Sequence, residues 1–166
     1  MRSGYTLVEL IVSLGLFAII TTLAAGAYFM IIGLNRQAEG ITTGIDNLSF
    51  ALETMTREIR TGTGYPTTDG TSNSFTFTNN GGTTVAYDKD PVSGALRRTA
   101  GGTAVALTDP SVTINNLSFT TTGGKKTDQL APRVTIIVQG TVSVGSGGKT
   151  RSFNIETTAE MRGTDF

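Results

Sequence analysis

Gly4-Tyr5-Thr6-Leu7-Val8-Glu9-Leu10-Ile11-Val12-Ser13-Leu14 opens a segment in which Glu9 is the only charged residue between Arg2 and Arg36. From Leu10 to Leu34 the chain runs for 25 residues without a charge. As a helix rising 1.5 Å per residue, that length crosses a hydrocarbon core of about 30 Å. A carboxylate beside such a span costs about 2.5–3.5 kcal/mol on insertion scales, so its presence points to a partner for it. Arg2 and the initiating amine favour a cytoplasmic N-terminus. Gly15, Gly26 and Gly33, with Ser13, Thr21 and Thr22, supply small side chains of the kind that let membrane helices approach closely.

Beyond Arg36 the pattern changes within what reads as the same helix. Ile41, Ile45, Leu48, Leu52, Met55 and Ile59 recur at alternating spacings of four and three, an amphipathic stripe. Glu53 and Arg57 stand four apart in the favourable order on the wet side, and Gly62 is a stop signal. The spacing predicts one helix from Tyr5 to about Arg60, its first half membrane-bound and its second half packed on a sheet.

From Asn73 the apolar period becomes two and threonine, serine, glycine and valine dominate, which predicts a β domain. Phe75 and Phe77, the turn Asn79-Asn80-Gly81-Gly82, then Val85 and Tyr87 read as a hairpin. Asp88 to Gly94 is a second turn, followed by short strands near Leu96 and from Val105 to Leu107. Apolar parity shifts from Val112 and Ile114 to Leu117 and Phe119, and a bulge at Asn115-Asn116 keeps all four on one face. Val134, Ile136, Val138, Val142 and Val144 share parity, Gly145 to Gly148 turns the chain, and Phe153, Ile155 and Ala159 return. The fold class is therefore α+β: an apolar helix at 5–34, its amphipathic continuation at 35–61 and a globular β domain at 62–166, preceded by residues 1–4.

The 166 residues carry 13 basic and 13 acidic side chains, for a formal net charge of zero, so the total does not suggest attraction to nucleic acid. Histidine and cysteine are both absent, which excludes imidazole acid-base chemistry, thiol nucleophiles, disulfides and the usual zinc ligands. No nucleophile-base pattern and no phosphate-binding loop is visible, so an enzyme is not expected, and no cofactor is expected.

The run Gly4-Tyr5-Thr6-Leu7-Val8-Glu9 resembles the class III leader junction of type IV pilins and of the pseudopilins of type II secretion. The resemblance implies that residues 1–4 are a leader, that a prepilin peptidase cuts between Gly4 and Tyr5, that Tyr5 becomes N-methylated, and that Glu9 is left as the fifth mature residue. A residue without Cβ lets the backbone lie extended in a tight peptidase groove, which suits Gly4. Ala51 to Arg60, Gly94-Ala95-Leu96-Arg97, Pro132 to Val138 and Thr157 to Arg162 resemble, more loosely, the J-type minor pseudopilins and W-type minor pilins. Tyr5 stands where phenylalanine is usual and Gly26 where related pilins often have proline. An uncleaved membrane anchor with Glu9 in the headgroup zone is the plainer alternative.

What the resemblance implies is a structural subunit of a type IV pilus or a type II secretion-like filament, held in the inner membrane before assembly and in an extracellular or periplasmic filament afterwards. Its partners would be other pilin or pseudopilin subunits, the prepilin peptidase and a membrane assembly platform. Glu9 of one subunit would meet the Tyr5 amine of another, a pairing that gains in low dielectric. Three further readings stay open. The β domain of a tip subunit binds a surface ligand; Asp88 and Asp90 are weak calcium candidates with ordinary turn chemistry as the alternative; and Arg97, Arg98, Lys125, Lys126 and Arg133 contact DNA as in competence pili, or are solvated surface charges.

Overall fold

A computed structural model describes residues 4–66, 68–124, 131–144 and 148–161. The order is one helix, α1 (Leu7–Thr61), then eight strands: β1 (Gly70–Ser72), β2 (Phe75–Thr78), β3 (Thr84–Lys89), β4 (Leu96–Ala100), β5 (Thr103–Ala106), β6 (Val112–Thr122), β7 (Arg133–Val144) and β8 (Lys149–Glu160). The α+β expectation holds. The chain separates into two compact units, one ending at Glu39 and one beginning at Gly40.

In the second unit α1 buries Gly44, Leu48, Ala51, Leu52, Met55 and Ile59. That stripe differs from the expected one at its start: Ile45 is 41% exposed and Ile41 is half-buried. Gly44 takes the place of Ile45 because the helix passes close to β7 there. A Cβ on Gly44 would lie 2.3 Å from Val142 Cγ1, so only glycine allows the approach. The helix ends at Thr61, with Gly62 N–H donating to the Ile59 carbonyl at 3.2 Å. The Tyr65 hydroxyl donates to the same carbonyl, which satisfies an acceptor that the helix end leaves without an intrahelical partner.

The strands form two antiparallel four-stranded sheets, β2-β3-β4-β5 and β1-β6-β7-β8. Period-two alternation locates strands but does not say which sheet each joins. β1 escaped the pattern altogether, since Gly70-Thr71-Ser72 is fully exposed and pairs with β6 without an apolar face. The β5 strand lies slightly earlier than expected: Val105 is 54% exposed, and Leu107, just past the strand, is the residue that packs on the core.

The expected β2–β3 hairpin forms with Phe75 opposite Tyr87 and Phe77 opposite Val85. Asn79 Oδ1 accepts from the N–H groups of Gly81 and Thr83, each at 3.0 Å, and so holds the turn. The expected bulge is present as a register shift between Ile114 and Asn116, and Val112, Ile114, Leu117 and Phe119 are all buried as a result. Gly140 faces this bulge: a Cβ there would lie 2.2 Å from the Thr113 carbonyl oxygen and 2.7 Å from the Phe153 ring. β7 and β8 pair from Arg133↔Glu160 to Val144↔Lys149, while residues 145–147 of the turn between them lie outside the described residues.

One core unites both sheets and α1. Phe75, Phe77, Tyr87, Phe119 and Tyr65 form a chain of ring contacts with centroids 5.7 to 6.2 Å apart. Val134, Ile136 and Val138 of β7 line the other side. The helix is also tied to β3 and β4 by charge. Tyr87 and Arg98 are cross-strand neighbours, and both reach Glu58 on the last turns of α1. Arg98 grips the carboxylate with two donors, Nε to Oε2 at 2.8 Å and Nη2 to Oε1 at 2.6 Å, and the Tyr87 hydroxyl donates to Oε2.

This fork of hydrogen bonds from Arg98, reinforced by Tyr87, outweighs partial burial and holds the Glu58 carboxyl below its ordinary range. Burial, then the adjacent carboxylate, pushes the Tyr87 phenol well above its usual range.

Two outcomes are expected. Leu48→Ala, at a fully buried position, lowers stability by about 2–5 kcal/mol, whereas Ile45→Ala costs less than about 1 kcal/mol, both read from urea unfolding of a chain beginning at Gly40. Because the folded-state pKa of Glu58 is depressed, its contribution is complete above the unfolded value near 4.5 and is lost as pH falls through the folded value. Glu58→Gln is therefore less stable than wild type at neutral pH by about 1–3 kcal/mol, and the gap narrows on titrating to acid; a gap independent of pH contradicts the assignment.

Candidate functional site

The first unit consists of the exposed apolar part of α1 and the residues that lead into it. Gly4, Tyr5 and Thr6 precede the helix, and Tyr5 is 83% exposed. Leu7, Leu10, Ile11, Leu14, Phe17 and Ile20 are all largely exposed as well, so this helix offers a continuous apolar surface. By length and composition it is capable of crossing a membrane.

Thr6 begins the helix for a local reason. Its Oγ1 accepts the backbone N–H of Glu9 at 3.3 Å, and its carbonyl accepts that of Leu10 at 3.2 Å. Thr6-Leu7-Val8-Glu9 has the spacing of a capping box, in which a threonine at the N-cap meets a glutamate three residues on. Sequence reasoning about Glu9 overlooked this, although the spacing was there to be read. Glu9 thus enters the helix start through its backbone N–H, and its carboxylate stands in the first turn, where the helix dipole favours negative charge.

The hydroxyls farther along are satisfied within the helix. Ser13 Oγ donates to the Leu10 carbonyl at 3.0 Å, and Thr21 and Thr22 donate to the Phe17 and Ala18 carbonyls, each at 2.8 Å. In an apolar medium that removes the cost of a free hydroxyl and leaves Glu9 as the one charge in the segment. A Cβ at Gly15, Gly26 or Gly33 would meet nothing within 4 Å, so no contact among the described residues of this unit requires these glycines.

The other sequence candidates sit in the second unit, and arginine engages most of them. Arg97 holds Asp88 with two donors, at 2.8 and 2.6 Å, and reaches Asp90 at 3.2 Å. Asp90 Oδ1 also accepts from Val92 and Ser93 N–H at 2.9 and 2.8 Å, and these backbone bonds lower its pKa. Asp90 thereby acts as the capping residue of the β3–β4 turn, in which Gly94 adopts φ +69°. Hydrogen bonding to Asp88 raises the Arg97 pKa further.

Among the suggested DNA contacts, Arg97 and Arg98 are committed to carboxylates, Arg133 pairs with Glu160 at 3.2 Å, and Lys125 and Lys126 lie outside the described residues. No group of three or more acidic side chains with metal-holding geometry occurs among the described residues.

Residues 1–25 match the protein family described as the prokaryotic N-terminal methylation motif. No curated protein and no solved structure matches the chain. The matched motif implies processing by a prepilin peptidase and assembly with other pilin subunits, and its family is structural, not enzymatic. Together with the single apolar helix, it fits a single-pass inner-membrane protein. The motif, the exposed apolar helix it opens and the antiparallel β domain that follows support a type IV pilin-like protein, a pilin or pseudopilin subunit.

Proposed function

We propose that this chain is a minor pilin or pseudopilin, of the J-type or W-type kind, that helps to initiate a type IV pilus or a type II secretion-like filament. The observation that carries the reading is the lone Glu9, five residues past Gly4 inside the matched motif, on a helix whose apolar side chains are exposed. Cleavage after Gly4 frees the Tyr5 amine, which is then N-methylated. Before assembly the apolar segment lies in the inner membrane; in the filament it packs against other subunits, and burial of its side chains supplies most of the association free energy.

The Glu9 carboxylate selects register by meeting the Tyr5 amine of a neighbouring subunit in a low-dielectric surrounding. Extraction from the bilayer is the work of an assembly platform. The alternative of a DNA-binding competence subunit loses support because three of its five suggested cations are already paired with carboxylates.

Mass spectrometry of native membranes or filaments is expected to find Tyr5 as a methylated N-terminus; a chain that remains intact from Met1 beside an active prepilin peptidase removes the basis of the reading. Glu9→Val is expected to leave cleavage, membrane insertion and the melting of the β domain unchanged, while incorporation into filaments drops about tenfold or more, equivalent to about 1.4 kcal/mol or more. Normal incorporation of that variant would refute the pairing role.

A further inference from the structure

The sheet β1-β6-β7-β8 ends on a long strand that the described chain leaves open. β8 has twelve residues and pairs only with β7, without a register slip. The Met161 N–H donates to the Pro132 carbonyl at 2.9 Å, which fixes the phase of the ladder. Counting back in twos, Ala159, Thr157, Ile155 and Phe153 turn their main-chain groups towards β7, whereas Thr158, Glu156, Asn154, Ser152 and Thr150 turn both N–H and C=O outward. Those outward groups have no main-chain partner among the described residues. The other outer strands are far shorter, three residues in β1, four in β5 and four in β2, where Thr78 also bridges Thr63.

The inner face of β8 is unfinished too. Phe153 and Ile155 stay half-buried although Ile155 stands opposite fully buried Val138 and the Phe153 ring covers Gly140. Beside them a groove of about 950 Å³ opens between α1 and β8, with Leu52, Thr56 and Arg60 on the helix side and Ile155, Thr157 and Met161 on the strand side. A free ladder demands an extended chain as its occupant, since only a strand supplies N–H and C=O groups at the same repeat. Charge sets its polarity. Lys149 and Arg151 mark the start of β8 and Glu156 its second half, beyond which Glu160 is paired with Arg133 of β7.

We propose that β8 is a strand-addition site: an extended segment of a neighbouring subunit pairs with the outward main-chain groups from Thr150 to Thr158. Its alternate apolar side chains cover Phe153 and, at the groove, Ile155. Its acidic residues lie by Lys149 and Arg151, and its basic residues by Glu156. That the partner is another filament subunit rests on the function proposed above.

Hydrogen exchange tests this on the full-length chain, compared between detergent solution and the assembled native filament. The even-numbered amides from Ser152 to Thr158 are expected to exchange about tenfold slower or more after assembly, while the odd-numbered ones, already bonded to β7, change little. Asn154→Pro removes one outward donor from an edge position that tolerates proline, and is expected to cut incorporation about tenfold without lowering the melting temperature; Asn154→Ala is expected to incorporate normally. Even-numbered amides that exchange equally fast in both states, or normal incorporation of Asn154→Pro, would overturn the proposal. The exchange comparison needs no variant, so it decides the matter even if Asn154→Pro fails to fold. Cleavage at Gly4 and Tyr5, scored by mass in the same samples, reports on the subunit reading alone: unprotected β8 amides with normal cleavage overturn strand addition and leave that reading in place.

Discussion

Burial of one face of α1 against two sheets is the contact on which the second unit depends. Neither four-stranded sheet encloses its own apolar side, and Leu48, Leu52, Met55 and Ile59 supply the surface that both share with Tyr87, Phe119 and Ile136. The close passage at Gly44 and Val142 sets how near the helix lies to β7. Glu58 then fixes the helix against β3 and β4, because a half-buried carboxylate with two arginine donors and a phenol has one good arrangement and many poor ones.

The first unit follows the opposite rule. Its apolar side chains face outward, its hydroxyls are bonded within the helix, and its single charge stands in the first turn. Such a surface is stable in lipid or against other apolar helices and unstable in water. The capping contact joins the Thr6 hydroxyl to the Glu9 backbone N–H, so it starts the helix without using the carboxylate proposed to meet another subunit.

Charge in the β domain is largely consumed in holding loops and strands together. Arg97 closes the β3–β4 turn onto Asp88 and Asp90, Arg98 ties β4 to the helix, and Arg133 meets Glu160 across β7 and β8. Arginine suits these sites because its planar fork matches a carboxylate with two bonds. Asp88 and Asp90, which read in sequence as candidate calcium ligands, prove to be partners of Arg97, while Arg98 and Arg133 pair with Glu58 and Glu160.

The sequence by itself determined the elements whose signal is periodic or chemically singular: the uncharged span with Glu9 at its head, the helix to Thr61, the β2–β3 hairpin, the bulge at Asn115 and the long β7–β8 hairpin. Each rests on residues near one another in the chain, so spacing suffices. Only the tertiary structure decided what depends on distant residues meeting. It assigned the strands to two sheets, added the fully polar β1, and moved the helix contact from Ile45 to Gly44 because β7 passes there. It joined Glu58 to Arg98, which are separated by 40 positions, and no local pattern announces such a pair. It also left the twelve-residue edge of β8 without a partner strand among the described residues, a property of sheet order and not of the residues in the strand.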